Sequence, residues 1–372
     1  MVCHAPCLAV HTFHSSTLGS TVMLSLRTPF QHMVPLAACA VALMLSRPLA
    51  AQDATHDVVR QASGTTQLLV AVHPVNDRIV WASGAGGTVL RTTDGGDHWR
   101  AMVVPGAEGL QFRDVHALDS LSAWILSIGN ADTSRIYHTT DGGAHWTLQF
   151  TNREPAAFYD CFAFWDAKRA IAMSDGVRGR TPVRLTSNGG AEWTLIPEAD
   201  RPGADSGEGS LAASGTCVAV AGTRHAWIGT VGNALGGRVL RSTDGGKHWQ
   251  ASTTPIGGGV KGSSVASVAF RDTLNGFAGG AKSPRVARTR DGGVTWTAVG
   301  EPAMAADVYG LAWRGALIAV GPTGASVSID EGEHWQPVDG GNWWSVAFAS
   351  ETTAFMVGPK GQLARVRVPR TR

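Results

Sequence analysis

The 372-residue chain carries a formal charge of +2 and contains 46 Gly, 13 Trp and only 3 Tyr. With 44% hydrophobic and 16% charged residues it is not a disordered chain, and glycine without a G-X-Y period excludes a collagen-like one. No basic excess is present to neutralise phosphates, so nucleic-acid binding driven by bulk charge is excluded as well.

Residues 1–51 contain no Asp or Glu and only two basic residues, Arg27 and Arg47. The apolar run from Met33 to Leu45, followed by SRPLAAQ, reads as a signal peptide cleaved near Ala50 or Ala51. The run is short for a membrane span. Arg47 after it is atypical, and an uncleaved anchor is the alternative. Met23 or Met33 could open the signal alone, so the first residues read as an over-long start. The expectation is export to the periplasm or outside, with no transmembrane segment in a mature chain of residues 52–372. Removing the leader leaves 29 basic and 29 acidic residues.

An internal repeat dominates the rest. Six segments share the form [S/T]-x-[D/N]-x-G-x-x-W: TTDGGDHW, TTDGGAHW, TSNGGAEW, STDGGKHW, TRDGGVTW and SIDEGEHW. Their acidic or amide residues are Asp94, Asp141, Asn188, Asp244, Asp291 and Asp330, and their tryptophans are Trp99, Trp146, Trp193, Trp249, Trp296 and Trp335. The tryptophans are spaced by 47, 47, 56, 47 and 39 residues. Asp-Gly and Asn-Gly are turn chemistry: the side chain bonds nearby backbone N–H groups and glycine accepts positive φ. The Trp is expected to fold back between neighbouring sheets.

A two-strand signature precedes each box and occurs once more after the last. Its apolar column reads Val70, Val115, Phe162, Val218, Val268, Leu311 and Val346, beside a mostly small column of Ala71, His116, Ala163, Ala219, Ala269, Ala312 and Ala347. Strands apolar or small on both faces are buried on both sides. Seven units of about 46 residues match four-stranded propeller blades. The seventh unit ends after a third strand, GQLARVRV, while HDVVRQAS (56–63) stands alone before the first. The fold expected is all-β, a single seven-bladed propeller closed by the N-terminal strand, with almost no helix.

The boxes resemble the Asp-box (BNR) repeats of sialidase-type propellers. The seven-fold set, the spacing and the leader are most similar to the photosystem II stability/assembly factor family. That resemblance implies a protein-binding or assembly role and a basic patch for a client protein. The box itself marks fold rather than activity.

A catalytic reading of the box carboxylates and of His98, His145, His248 and His334 is set aside: six copies point to a shared turn-capping role. No metal site or cofactor is expected, because successive copies fall on different blades. A sialidase would need an R-I-P motif, absent from Arg78-Ile79-Val80 and Arg135-Ile136-Tyr137, and two placed carboxylates. The face opposite the boxes carries the longest loops, where binding usually lives. Arg135, Arg238 and Arg285 occupy matching positions there, and Arg178 and Arg180 project from the corresponding loop of blade 3. They form a candidate patch for carboxylates or an acidic peptide. The alternative is solvated charges paired with Asp132, Asp175, Asp200 or Asp205. Tyr159, Tyr309, Trp343 and Trp344 are candidates for the channel mouth, with core packing the alternative. Cys161 and Cys217 match on adjacent blades, and two buried thiols are preferred over a disulfide. The reading is an exported, monomeric, non-enzymatic propeller that binds a client protein. The alternative is a secreted glycoside hydrolase or glycan-binding protein.

Overall fold

The computed structural model describes residues 56–232, 237–260 and 262–369; the leader lies outside them. Seven four-stranded antiparallel sheets follow one another along the chain, and among the described residues only four short 3-10 turns interrupt them. This is the expected seven-bladed propeller. Each of blades 1 to 6 is a meander of four consecutive strands. In blade 2 these are Phe112–Ala117, Ala123–Ser127, Arg135–Thr139 and Thr147–Thr151, running from axis to rim.

Blade 7 closes the ring. Its three C-terminal strands are joined by Asp57–Arg60, which pairs antiparallel with Leu363–Arg367, Val58 opposite Val366. The outermost strand of the last blade therefore comes from the other end of the chain. No end of the propeller is left as an open edge between first and last blades. No described helix is long and apolar enough to cross a membrane.

Second strands are buried along their length because both faces meet a neighbouring blade. Trp81, Trp124, Trp227 and Phe277 sit there fully buried. The indole N–H groups of Trp81, Trp124 and Trp227 donate to the backbone carbonyls of Asp119, Gly189 and Gly292 on the next blade. Burying such large groups with the polar atom satisfied avoids the cost of an unmatched donor. Box tryptophans pack into the same seams: Trp146 meets Trp81 edge-on at 6.4 Å, and Trp296 meets Phe270 at 6.1 Å.

Every box forms the same lock. In the first, Thr92 Oγ1 donates to Asp94 Oδ1 (2.7 Å) and accepts from Gly96 N, while Asp94 Oδ1 accepts from His98 N. Hydrogen bonds from the backbone N–H groups of His98 and His145 are the first cause holding Asp94 and Asp141 below the usual carboxylate range. The box histidines lie 2.6–2.8 Å from the same aspartates and are exposed. Thr295 supplies the equivalent bond in the fifth box. The sixth box places Glu331 at φ 58° where the others have glycine. These residues secure turns, and none needs a chemical role to explain it.

Two readings of the sequence are corrected. In unit 1 the channel-lining residue matching Val115 and Phe162 is Val72, not Val70, and His73 rather than Ala71 stands beside His116, the two rings 4.4 Å apart. The run LLVAVHP is apolar at both offsets, so pattern could not fix its register. Cys161 and Cys217 are not two thiols but a disulfide. Although the innermost strands of blades 3 and 4 share no ladder, they converge at the axis. The Cα atoms stand 6.1 Å apart, within the roughly 7 Å limit for a bridge.

Candidate functional site

The connection from blade 3 to blade 4, residues 196–217, does not stay at the rim. Its last part crosses the axis. Arg113 Nη1 on blade 2 donates to Ala212 O (2.8 Å), Ser214 Oγ donates to Tyr309 O (2.7 Å), and Ser345 Oγ on blade 7 donates to Ser214 O (2.8 Å). Ala212, Ala213 and Ser214 are buried. The segment is thus tied to blades on several sides and plugs the central channel. Ser214, Gly215 and Thr216 line the channel beneath it, where His73 and His116 lie. On the face opposite the box turns, a separate cavity of about 370 Å³ opens above Ser210–Ala213.

That cavity is built from one position of the repeat. Two residues before the channel-lining column stand Arg113, Asp160, Tyr309 and Trp344 on blades 2, 3, 6 and 7, and all four line it. In blades 1, 2, 3 and 5 this position is a bulge: the pairing of the innermost strand skips Val70, Arg113, Asp160 and Ala266. A bulge inserts a residue without a ladder partner and re-aims its side chain. Two charged residues are thereby accommodated in strands that otherwise face the core.

Asp175, which follows the second strand of blade 3, completes the site. Its Oδ1 accepts from Ser210 N at 2.9 Å. Gly209 must lack a side chain, because a Cβ there would fall 1.9 Å from that oxygen. Asp160 and Asp175 line the same cavity and lie close enough for their charges to interact. Burial, then the adjoining Asp175 charge, pushes Asp160 well above the usual carboxylate range, opposed by Arg113. Burial also raises Asp175. Burial and mutual repulsion therefore disfavour ionising both carboxyls together.

Opposite, the Arg113 guanidinium lies 5.3 Å over the Trp344 ring, which meets Tyr309 edge-on at 5.5 Å. Three lining residues each carry a buried polar atom without a hydrogen-bond partner among the described residues: Arg113 Nε, Asp160 Oδ2 and Trp344 Nε1. Such atoms are costly when left unmatched, and their concentration around one cavity marks it. No group of three or more His, Cys, Asp or Glu among the described residues is placed to hold a metal ion.

The arginines singled out in the sequence lie on this same face, but mostly matched. Arg135 pairs with Asp132 (3.1 Å), Arg285 with Glu301 (2.7 Å), and Arg238 with the buried carboxylate of Glu208. Arg180 donates to Arg201 O at 3.1 Å, and Arg178 is exposed. Among the aromatic candidates, Tyr309 and Trp344 reach the cavity. Tyr159 is 1% exposed and accepts a bond from Arg184, while Trp343 is fully buried and donates to Asp339. Sequence reasoning missed Arg113, Asp160 and Asp175 as site residues. The signal was a charge at the start of an innermost strand, in QFRDV and FYDCF, where other units place Val, Thr, Ala or an aromatic.

No protein-family model and no curated protein matches the chain. Solved structures match its fold. A structure described as YCF48 bound to D1 peptide is 16% identical, with a TM-score of 0.61, covering 84% of this chain and 97% of its own. YCF48 from Cyanidioschyzon merolae is 16% identical, with a TM-score of 0.62, covering 83% and 98%. The WD40 β-propeller domain of Doa1 is 13% identical, with a TM-score of 0.57, covering 83% and 97%.

Proposed function

We propose that the chain is an exported, non-enzymatic propeller that holds a segment of another protein on the face opposite its box turns. The axial cavity is its anchor pocket. The observation that carries this reading is the cavity itself. A plugged channel leaves a concave site with aromatic walls and unmatched polar atoms, which suits one inserted side chain. The surrounding loops offer further surface, including the exposed Arg178.

Two observations support the reading. A structure with a similar fold is described as bound to a peptide. The disulfide between blades 3 and 4 suits an oxidising compartment, in keeping with the signal-type leader. The glycosidase alternative fits less well. Those enzymes need one of their two carboxyls ionised as nucleophile or base, whereas burial raises both carboxyls of this cavity.

The test is capture of partners from the native envelope fraction by immobilised wild-type protein, Trp344→Ala, Arg178→Glu and the box-face control Lys247→Glu. Loss of a captured partner with Trp344→Ala or Arg178→Glu, but not with Lys247→Glu, is the expected result. Equal capture by all four proteins would reject the loop face. Turnover of aryl glycosides by the wild type would reject a non-enzymatic role.

A further inference from the structure

We propose that the Asp160–Asp175 cavity binds a primary ammonium group, a lysine side chain or a free amino terminus of the bound segment. This rests on the reading of the loop face as the client-binding face and names the chemistry it selects. It reverses the charge preference that a patch of arginines would give.

Charge accounting points to a monocation. Two carboxylates face one guanidinium, that of Arg113, so the ionised site carries one net negative charge. Burial of the pair favours taking up a proton, which would cancel that charge when the cavity is empty. An ammonium ion provides the same charge with three N–H donors, enough for Asp160 Oδ2, which receives no hydrogen bond, and for Asp175. Tyr309 and Trp344 offer apolar surface for the alkyl stem.

An anion fits worse. Arg113 keeps only Nε unmatched: Nη1 donates to Ala212 O, Nη2 to Gln111 Oε1, and its face is against Trp344. It cannot offer the bidentate fork by which arginine recognises a carboxylate. The arginines around the rim are mostly neutralised by Asp132, Glu208 and Glu301. The charged and titratable groups facing the pair are Arg113 from blade 2 and Tyr309 from blade 6; the crossing segment contributes only the Ser210 backbone N–H. The exchange balances: the protonated pair plus R–NH3+ gives the doubly ionised pair with R–NH3+ bound and one proton released to solvent. Binding therefore tightens as pH rises toward the range where the free amine itself loses its proton.

The experiment is titration calorimetry of the folded chain with three blocked or unblocked pentapeptides of alanine. One carries a central lysine with both ends blocked, one has norleucine in its place, and one has a free amino terminus and no lysine. The expected result is saturable binding of at least one amine peptide, with proton release seen as a heat that depends on the buffer. Norleucine should bind at least about tenfold more weakly. The two amine arms show whether a side chain or a terminus is the better source. Asp160→Asn and the more accessible Asp175→Asn should each weaken binding by about tenfold or more. Equal binding of lysine and norleucine peptides, or no binding of either amine, would overturn the proposal. So would binding of butyrate that is lost in Arg113→Gln. If partner capture persists while amine binding fails, only this inference falls. If capture is lost in no loop-face variant while amines bind, the client reading falls instead.

Discussion

Asp160→Asn is expected to stabilise the protein while weakening its site. The native Asp160 is 1% exposed, and its Oδ2 receives no hydrogen bond. An unmatched buried acceptor costs about 1–3 kcal/mol, and more when charged. Asparagine keeps the volume and removes the ionisation. The sign follows from linkage. Burial raises the folded carboxyl above its unfolded value, so the contribution of Asp160 to stability is greatest at low pH and declines as pH rises from the unfolded value near 4 toward the folded one. The asparagine variant lacks that decline. The stability difference should grow by about 1.4 kcal/mol per pH unit across the interval and then level off. Asp114 is the contrasting case. It is also buried on the neighbouring blade, and burial raises its carboxyl too, but here that is opposed by hydrogen bonds: its Oδ1 accepts from Val115 N (2.8 Å) and its Oδ2 from Phe162 N (2.9 Å). Asp114→Asn turns one acceptor into a donor facing an N–H and should cost about 1–3 kcal/mol. Urea unfolding of both variants at several pH values from 4 to 8 reads both effects. If Asp160→Asn is destabilising near pH 8, or both variants shift the same way, the protonated-pair account is wrong.

Three further perturbations test the scaffold. Replacing Cys161 and Cys217 by alanine opens a link between residues 56 positions apart and should lower unfolding stability by up to about 4 kcal/mol; an unchanged urea midpoint would mean the bridge adds nothing. Thr289 is buried in the fifth box, accepting from Gly293 N and donating to Asp291 Oδ1, so Thr289→Val should cost about 1–3 kcal/mol in the same assay. Burial lowers the His73 imidazole to about 4, so stability should be fully present above about 6.5 and fall as pH drops toward 4. The loss should stay below roughly 3 kcal/mol, because the ring is partly open to the channel and solvent there offsets some of the burial. His73→Phe, which keeps an aromatic ring against His116, should flatten that slope, and an unchanged slope would place the acid sensitivity elsewhere.

The scaffold was legible because it is repeated. Six boxes gave the blade period, and the unmatched segment before the first unit gave the closure that Val58 opposite Val366 realises. The register of blade 1 was not legible, since LLVAVHP offers apolar residues at either offset and only packing of His73 on His116 decides. The disulfide was missed because strand pairing alone gives no distance between unpaired inner strands. Convergence on the axis is a property of the closed ring. The crossing of Ser210–Thr216 over the channel was hidden for a related reason: its contacts, to Arg113, Tyr309 and Ser345, lie 95 to 131 positions away for the two Ser214 bonds and 99 for Ala212.

Function in a repeat protein is carried where the repeat breaks. The box residues invite attention because they are polar and numerous, yet six copies with the same hydrogen bonds are accounted for by one turn. The ring position two before the channel column behaves differently. A sevenfold scaffold needs nothing charged there, and Thr216 and Ala266 show that a small residue serves. Arg113 and Asp160 occupy it on adjacent blades, each at a bulge, and Tyr309 and Trp344 occupy it across the axis. The bulge is shared with Val70 and Ala266, so what costs stability here is the charge: the carboxyl is buried without a full set of donors. Packing alone would favour apolar residues at this position, as it does with Val70. A cluster that costs folding energy, breaks the local repeat and surrounds one cavity is best explained by something it binds, which is why an Asp160→Asn variant that folds better and binds worse is the decisive single result.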